Sequence, residues 1–315
     1  MVAEKPRIIF MGTPEFAVPS LDALVQSGYP VIAVVTQPDR PKGRGRRNEP
    51  PPVKTAAEKY GLRVIQPESV RDSSFLEFFR RLAPDMVVLV AFGQILPAQI
   101  ISYPPKGCIN VHPSLLPRYR GAAPINWALI RGDKETGVTV IMMDEKVDSG
   151  DILIQENTMI APEETFGQLR DRLAEMGARL LLRAIEAVVE GTVTGTPQDP
   201  SQATYAPRLK KEDGRIHWST DFSSIVNLIR GLSPAPGAYT CIEGRQLKVF
   251  TASGEASERV DGPPGKVTGQ SDRGLRIAAV NGYVYLQDVQ LEGKKRMPIQ
   301  DFLRGYKIEP GTVLT

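Results

Sequence analysis

Asn110 and His112 lie two residues apart at the end of the apolar run CINVH, residues 108–112. Because side chains alternate along a strand, these two share one face, about 6.6 Å apart at roughly 3.3 Å per residue. That distance is too long for a hydrogen bond between them, but it suits two groups that flank one reacting atom. An amide and an imidazole placed in this way can donate to an oxyanion or move a proton. The structural alternative, a buried Asn and His that only satisfy backbone groups, has about equal weight from the strand alone.

The segment after this strand has the composition of a rigid ligand wall. Its sequence is PSLLPRYRGAAP, residues 113–124. Pro113 and Pro117 fix φ and remove two backbone donors, and the small residues 121–123 allow backbone to approach a ligand. The loop therefore favours a binding site over a purely structural Asn and His.

A third polar group is needed to orient His112. The segment MDEKVDSGDIL, residues 143–153, follows the next predicted strand and offers Asp144, Asp148 and Asp151. Asp148 lies in the loop, free to reach back, whereas Asp144 ends one strand and Asp151 begins the next. The spacing favours Asp148 only slightly over the other two.

Two further residues with reactive side chains are interpreted as structural. Cys108 shares the face of His112 but lies about 13 Å from it along the strand, so it cannot be activated by that imidazole. His217, the second histidine, lies in RIHWS and has no comparable polar surroundings.

Short apolar runs alternate with helical patterns through the first half of the chain, which is typical of a parallel α/β sheet. Most runs are near-continuous in Val, Ile, Leu and Met, as expected for strands covered on both faces. The predicted strands span residues 7–12, 31–37, 63–66, 85–91, 108–112 and 137–144. The predicted helices span residues 19–28, 52–61 and 164–190. We predict a Rossmann-like, mostly parallel sheet with helices on both faces, with the site at the carboxyl ends of its strands.

The pattern changes after residue 190. Residues 191–207 are small, polar and Pro-rich, which is typical of a linker. Beyond them, short strand patterns alternate with turns, including a strong hairpin signal at Asn281-Gly282 and one helix over 221–232. We predict a catalytic domain over 1–190, the linker, and a small all-β, OB-like barrel domain over 208–315.

The overall composition is that of an ordinary globular protein. The chain has 315 residues, 24% charged residues and a net charge of +3. Cys108 and Cys241 have no metal or disulfide spacing, which suggests a reducing compartment. The N-terminus enters a strand pattern almost at once, and no apolar run approaches the roughly 18 residues of a membrane span. These features predict a cytoplasmic protein with no membrane partner.

The stretch NVHPSLLPRYRGAAP followed by ETGVTVIMMDEKVDSGDIL resembles the signature of the folate-dependent formyltransferases. The resemblance extends over almost the whole chain and is strongest to the branch that acts on methionyl-tRNA. It implies transfer of a formyl group from 10-formyltetrahydrofolate to the methionyl amine of initiator tRNA, for translation initiation. It also implies that Asn110, His112 and Asp148 are the catalytic residues. The folate-contacting residues that it implies are Ser114, Leu115, Leu116, Pro117, Ala91, Phe92, Gly93, Ile95 and Leu96.

The chemistry of these residues fits such a reaction. Attack of a neutral amine on the formyl carbon makes an oxyanion, to which the Asn110 amide and a ring N–H of His112 can donate. Asp148 can orient His112, favour its protonated form and accept the proton of the amine. We expect direct transfer in a ternary complex, with no covalent enzyme intermediate and no metal.

The segment QPDRPKGRGRRN, residues 37–48, contains five basic residues and one acid. It has no apolar anchor, so we expect a surface loop over the site, although a solvated charge run is the plainer alternative. The resemblance implies that this loop contacts the acceptor stem near the aminoacyl end of the tRNA, and we expect a monomeric enzyme. The predicted tRNA-binding residues are Arg40, Lys42, Arg44, Arg46, Arg47, Lys210, Lys211, Lys294, Lys295 and Arg296.

Three other functions fit parts of this pattern. A formyltransferase for a nucleotide sugar or a purine precursor would share the catalytic trio but would not need the basic loop. A nicotinamide-dependent oxidoreductase lacks support, because only Gly12 of the Gly-x-Gly-x-x-Gly fingerprint is present. An RNA-binding protein on an inactive scaffold would have no need of all three polar groups.

Overall fold

The computed structural model describes residues 4–42, 47–309 and 311–315. The chain divides into two compact units. The first holds the chain up to Gly121 with Thr136–Thr158 and Arg170–Ala206, and the second holds Ala122–Glu135, Met159–Leu169 and Pro207–Thr315. The second unit therefore takes two segments from the part of the chain that we assigned to the first domain.

Strands and helices alternate through the first half of the chain, as predicted, and further elements follow up to Ala206. The strands are β1 (Ile8–Gly12), β2 (Val31–Val35), β3 (Arg40–Lys42), β4 (Arg47–Glu49), β5 (Val64–Ile65), β6 (Met86–Val90), β7 (Cys108–His112), β8 (Arg120–Gly121), β9 (Glu135–Met142), β10 (Ile152–Met159) and β11 (Tyr205–Ala206). The α-helices are α1 (Val18–Gln26), α2 (Pro52–Lys59), α3 (Ser73–Leu82), α4 (Ala98–Ile101), α5 (Pro124–Ile130) and α6 (Phe166–Glu190). Short 3₁₀ turns lie at Glu15–Ala17 and Pro200–Gln202.

Seven of these strands form one sheet in the order β10-β9-β7-β6-β1-β2-β5. The pairs of β1 with β2 and β6, of β2 with β5, and of β6 with β7 are parallel. β9 pairs antiparallel with β7, with His112 opposite Thr139. The predicted mostly parallel sheet is confirmed, and β7, which carries the Asn and the His, lies between a parallel and an antiparallel neighbour.

One core of the first unit packs a face of the sheet against α3 and α4. Ile9 and Val87 from neighbouring strands join Phe79 and Ile100 from the helices in one buried cluster. Each such side chain contributes about 1.5–3 kcal/mol when it is fully buried. This packing holds the central strands rigidly and so fixes the start of the loops that leave their carboxyl ends.

The second unit contains an antiparallel sheet in the order β12-β13-β16-β15-β14, and β17 pairs with β16. Its strands are β12 (Ala238–Ile242), β13 (Arg245–Ala256), β14 (Val267–Ser271), β15 (Gly274–Ala279), β16 (Gly282–Leu291) and β17 (Met297–Pro298). Its helices include α7 (Phe222–Gly231), as predicted over 221–232, α8 (Ile299–Gly305) and a 3₁₀ turn at Glu212–Gly214. Trp218, Val249 and Leu286 are part of its buried core.

The last residues of the chain lie between the two edge strands β12 and β14. Thr315 exchanges backbone hydrogen bonds with Cys241 of β12, at 2.7 and 3.1 Å. Gly311 and Thr312 make the corresponding bonds to Val267 of β14, at 2.8 and 2.7 Å. Both edges are thus paired, which agrees with the predicted OB-like barrel because closure removes exposed edges.

The β15–β16 hairpin is present, but its turn differs by one residue from the predicted Asn281-Gly282. Gly282 pairs with Ala279, so Val280 and Asn281 form the loop. A Cβ on Gly282 would lie 2.1 Å from the Glu255 carbonyl oxygen. The glycine is therefore needed for close approach to β13 rather than for the turn.

Candidate active site

His112 is the last residue of β7, and Asn110 lies two residues before it on the same face. Asn110 and His112 are almost fully buried, at 6% and 4% exposure. Cys108, on the same face, enters the core beside α4. Its thiol lies 3.5 Å from the carbonyl oxygens of Ile100 and Ile101, and burial raises its pKa to about 12. A thiol that stays protonated is not a nucleophile, in agreement with the structural role predicted for it.

The loop between β9 and β10 brings Asp148 to both of these side chains. Asp148 Oδ1 accepts a hydrogen bond from Asn110 Nδ2 at 3.2 Å, and Oδ2 lies 3.6 Å from His112 Nδ1. The backbone N–H of Gly121 also donates to Oδ2, at 2.8 Å. The structure thus brings together the three residues predicted as a catalytic trio.

The other two candidate carboxylates are placed differently. Asp144 is exposed and accepts hydrogen bonds from the Ser149 hydroxyl, at 2.8 and 2.9 Å, and from Lys146 N. Asp151 is exposed, and its carbonyl oxygen accepts from Met142 N. The alternatives that the sequence left open therefore resolve to Asp148 as the carboxylate beside His112.

His112 is held by a contact that the sequence did not predict. Its Nε2 lies 2.9 Å from the Tyr119 carbonyl oxygen. A carbonyl oxygen only accepts, so Nε2 carries the hydrogen and Nδ1 faces Asp148. Nε2 is therefore not available to an oxyanion, and the ring position free for such a role is Nδ1.

Loop 143–151 passes very close to the end of β9. A Cβ on Gly150 would lie 1.9 Å from the Met142 carbonyl oxygen, so only glycine fits there. Asp148 itself has φ of +51°, a left-handed conformation that is uncommon for a residue with a side chain. This local backbone geometry turns the carboxylate back towards β7.

The predicted folate wall at 114–117 is braced from β9 and β10. Thr139 Oγ1 donates to the Ser114 carbonyl at 2.6 Å and accepts from Leu116 N at 3.1 Å. Gln155 Nε2 donates to both Leu116 O and Thr139 Oγ1, at 3.0 and 2.7 Å. Ser114 and Leu116 are buried, whereas Leu115 and Pro117 are half-buried.

The second predicted wall, at 91–96, leaves the carboxyl end of β6, next to β7. Phe92 and Leu96 are buried in the core, where they anchor the loop. Ala91, Gly93 and Ile95 lie on its exposed side, with Ile95 60% exposed. The two predicted walls thus leave the same ends of adjacent parallel strands.

Several residues around the site were missed by sequence reasoning. Tyr119, Gly121, Thr139, Gln155 and Gln198 bond to the trio or to its loops. Only Gly121 had a signal, the small-residue run. Tyr119 acts through its carbonyl group, Thr139 and Gln155 act through side chains on β9 and β10, and the Gln198 side chain lies outside the strands. Neither residue type nor spacing indicates these hydrogen bonds.

The segment predicted as a basic surface loop partly forms a two-stranded ribbon, because β3 and β4 pair antiparallel. Arg40 is exposed, Lys42 and Arg47 are described only as backbone of β3 and β4, and Arg44 and Arg46 lie outside the described residues. Asp39 directly precedes Arg40. Hydrogen bonds from Gln66 and Lys54 lower the pKa of the Asp39 carboxyl group, which keeps it charged.

The basic residues predicted in the second unit are all exposed. Lys210 and Lys211 precede the turn at Glu212–Gly214, and Lys294 and Lys295 lie after β16. Arg296 is engaged already: its guanidinium lies 2.6 Å from Asp288 and 4.3 Å from the Phe250 ring centroid. His217 is also exposed and belongs to the second unit, whereas the trio belongs to the first.

Residues 4–42, 47–309 and 311–315 contain neither a candidate metal site nor a candidate membrane span. Among them, no group of three or more His, Cys, Asp or Glu side chains is placed to hold a metal ion. In the same part of the chain, no helix combines the length and apolar character of a membrane span.

Comparison with known proteins places this site in context. Residues 6–185 match the family described as "Formyl transferase", and residues 208–307 match "Formyl transferase, C-terminal domain". A methionyl-tRNA formyltransferase from Syntrophus aciditrophicus is 58% identical over 310 residues, 98% of this chain and 99% of that protein. One from Geotalea uraniireducens is 50% identical, over 98% and 97% of the two chains.

A solved structure shares the fold at low identity. The structure of HypX from Aquifex aeolicus in complex with tetrahydrofolic acid has a TM-score of 0.64 and 18% identity, over 98% of this chain and 51% of HypX. A likeness at that identity concerns the fold alone.

Proposed function

The chain belongs to the formyl transferase family, and from that premise we propose that it formylates initiator methionyl-tRNA with 10-formyltetrahydrofolate as the donor. The reaction supplies formylmethionyl-tRNA for translation initiation. The observation that carries the proposal is the meeting of Asn110, His112 and Asp148 between two loops at the carboxyl end of β7. The names of the full-length relatives support the substrate.

The Asn110 amide is the proposed oxyanion donor. Its Nδ2 carries two hydrogens, and Asp148 Oδ1 accepts one of them at 3.2 Å. The second N–H is directed to the oxygen of the formyl group. As the amine attacks, that oxygen becomes an oxyanion, and the buried amide stabilises it more strongly than water does.

Asp148 is the proposed base. The new bond joins the methionyl nitrogen to the formyl carbon, and the nitrogen then loses a proton to the carboxylate. His112 Nδ1, 3.6 Å from Asp148 Oδ2, is placed to relay that proton or to hold it beside the oxyanion. The bond between the formyl carbon and the folate nitrogen breaks as that nitrogen receives a proton.

The folate is proposed to lie between loops 91–96 and 114–117. Exposed Ile95 and half-buried Leu115 and Pro117 offer apolar surface to a flat ring, and the backbone of 91–93 offers polar groups. The bonds of Thr139 and Gln155 keep the second loop rigid, which lowers the entropy lost on binding. The tetrahydrofolic acid in the HypX structure supports this choice of cosubstrate.

The basic residues are proposed to hold the acceptor stem and guide the aminoacyl end to Asn110. The set comprises Arg40, Lys42, Arg44, Arg46 and Arg47 near β3 and β4, and Lys210, Lys211, Lys294, Lys295 and Arg296 in the 208–315 β domain. Phosphate contacts need only exposed positive charge, which the described side chains in the set provide, although Arg296 must share its charge with Asp288. We propose that the enzyme works as a monomer in the cytoplasm.

An acceptor competition tests this function. Labelled formyl from 10-formyltetrahydrofolate is offered to charged initiator tRNA together with a panel of amino sugars on nucleotides and purine-precursor amines. The proposal predicts label on the methionyl amine of the tRNA, with transfer that weakens at high salt. Label on a small amine would keep the trio and overturn the choice of substrate.

A further inference from the structure

Gln198 lies in the segment after α6, and its side chain bonds to the backbone of the Asp148 loop. Nε2 donates to the carbonyl oxygens of Asp148 and Gly150, at 2.9 and 2.8 Å. A primary amide nitrogen carries two hydrogens, so this loop uses both of them. The side chain thus ties two carbonyls on either side of Ser149 to one point.

Arg120 fixes the orientation of that amide. Gln198 Oε1 accepts from Arg120 Nε at 3.1 Å and from Nη2 at 2.7 Å. A guanidinium only donates and a backbone carbonyl only accepts. A flipped Gln198 amide would therefore place its NH2 group against the Arg120 guanidinium and its oxygen against the two loop carbonyls. Arg120 is 9% exposed, so water does not compete freely for its donors.

The same strand also holds the other end of Asp148. Gly121, which follows Arg120 in β8, donates its N–H to the Asp148 carboxylate at 2.8 Å. β8 in turn pairs with β11, and Thr204 Oγ1 accepts from Tyr119 N at 2.9 Å. Residues 119–121 therefore contact His112 and the carboxylate directly, and the backbone of Asp148 through Gln198.

We propose that Gln198 is a positioning residue for formyl transfer. With Arg120, it holds the left-handed backbone of Asp148, whose φ is +51°, so that the carboxylate stays beside Asn110 and His112. Gln198 touches neither substrate in this account, and the proposal rests on the function proposed above. It assigns a catalytic consequence to a segment that the sequence suggested was only a linker.

Two substitutions at Gln198 separate positioning from folding. Gln198→Glu retains oxygen acceptors for Arg120 but has no donor for the two loop carbonyls, and Gln198→Leu removes both functions. We expect kcat to fall on the order of 10- to 100-fold in both, because a displaced catalytic group loses rate steeply. KM for the folate and for the tRNA is expected to stay within about threefold of the wild-type values. Gln202→Glu and Gln202→Leu, at an exposed glutamine of the same segment, are matched controls with wild-type kcat.

A double-mutant cycle tests the role of Arg120. Because Arg120 acts on the loop through Gln198, the variant with Arg120→Leu and Gln198→Leu together should be no slower in kcat than Gln198→Leu alone. Additive losses would contradict that route.

The outcomes are distinguishable from failure of the proposed function. If the wild-type protein transfers no formyl group to methionyl-tRNA, the function is wrong. If the wild type is active and both Gln198 variants keep its kcat, the positioning role is overturned. A rise in KM with unchanged kcat in both variants would overturn it equally. Loss of folate binding or of folding in both variants would also contradict it, because Gln198 would then support the whole site.

Discussion

The Tyr119 carbonyl decides which hydrogen-bonding positions of His112 are open. Its oxygen lies 2.9 Å from Nε2, so that nitrogen is occupied and Nδ1 faces Asp148 at 3.6 Å. A proton on Nδ1 is then the one ring donor left for the reaction. This differs from a freely placed ring N–H, because loop 113–119 folds back over the imidazole.

Residue types and spacing predict the faces of the site residues on β7 but not which carboxylate joins them. The alternation in CINVH is enough to put Asn110 and His112 on one face. The alternation does not select among Asp144, Asp148 and Asp151. That selection depends on the left-handed conformation of Asp148 and on its hydrogen bond from Gly121, 27 positions away along the chain. Such a contact leaves no periodic signal.

Substituting Asn110 by Ala removes the proposed oxyanion donor. We expect kcat to fall about 100-fold or more, the usual loss for one such donor. Folate affinity is expected to stay unchanged, since the loops at 91–96 and 114–117 remain in place. Steady-state formylation and a folate binding titration measure the two quantities. Asn157→Ala, at an exposed amide on β10, serves as the control, and an active Asn110→Ala enzyme would exclude the oxyanion role.

At the level of elements, the apolar strands of the large sheet were predictable, whereas the two-residue strands β8 and β11 were not. β1, β6 and β7 lie within a residue or two of their predicted bounds because burial on both faces gives them near-continuous apolar runs. β8 and β11 are two residues each and pair only because distant segments meet. β8 positions the Asp148 carboxylate through the N–H of Gly121, and β11 pairs with β8. The elements that could not be predicted from the sequence are therefore those that orient Asp148.

The N-terminus of α7 offers a test of stability against pH. Asp221 accepts from Ser224 N at 2.8 Å, and hydrogen bonds from Ser223 and Ser224 lower its pKa to about 2. The folded pKa is below the unfolded value, so the cap stabilises the protein fully above about pH 4. This contribution is lost as the pH falls through the folded pKa.

Asp221→Ala is therefore expected to lower the free energy of unfolding by about 1 kcal/mol at neutral pH. The difference from wild type should narrow between about pH 4 and pH 2. Urea unfolding followed across this range measures both. Glu258→Ala, at an exposed carboxylate outside the helices of the same unit, is the control. A difference that stays constant with pH would show that the carboxylate charge does not act at this cap.

For the whole molecule, two folds were predictable but not the division of the chain between them. The change from helix-rich to strand-rich patterns near residue 190 separates the elements up to α6 from the antiparallel strands β12 to β17. Residues 122–135 and 159–169 nevertheless cluster with the second unit. Their membership depends on tertiary packing, for example on the bond from Asn126 to the Gly231 carbonyl, which local patterns do not contain.

The distribution of charge over the molecule predicts how tRNA binding responds to salt. Arg40 is an exposed residue of the basic segment 37–48, in a chain whose net charge is only +3. Arg40→Gln should weaken tRNA binding and reduce the slope of log affinity against log salt by roughly 0.7–0.9, the value for one phosphate contact. Filter binding over a salt series measures the slope. Lys59→Gln, at an exposed lysine at the end of α2, should leave it unchanged, and equal slopes in wild type and Arg40→Gln would remove Arg40 from the interface.

The proposed role of Asp148 as the base is tested most directly by the single-turnover rate of formyl transfer in Asp148→Asn, at saturating folate and methionyl-tRNA. Asn retains the shape of the carboxylate and can still accept from Gly121 N, but it cannot take the proton of the amine. We expect the rate to fall about 100-fold or more, as for loss of a general base, with both substrates still bound. Transfer at the wild-type rate in this variant would show that Asp148 is not the base.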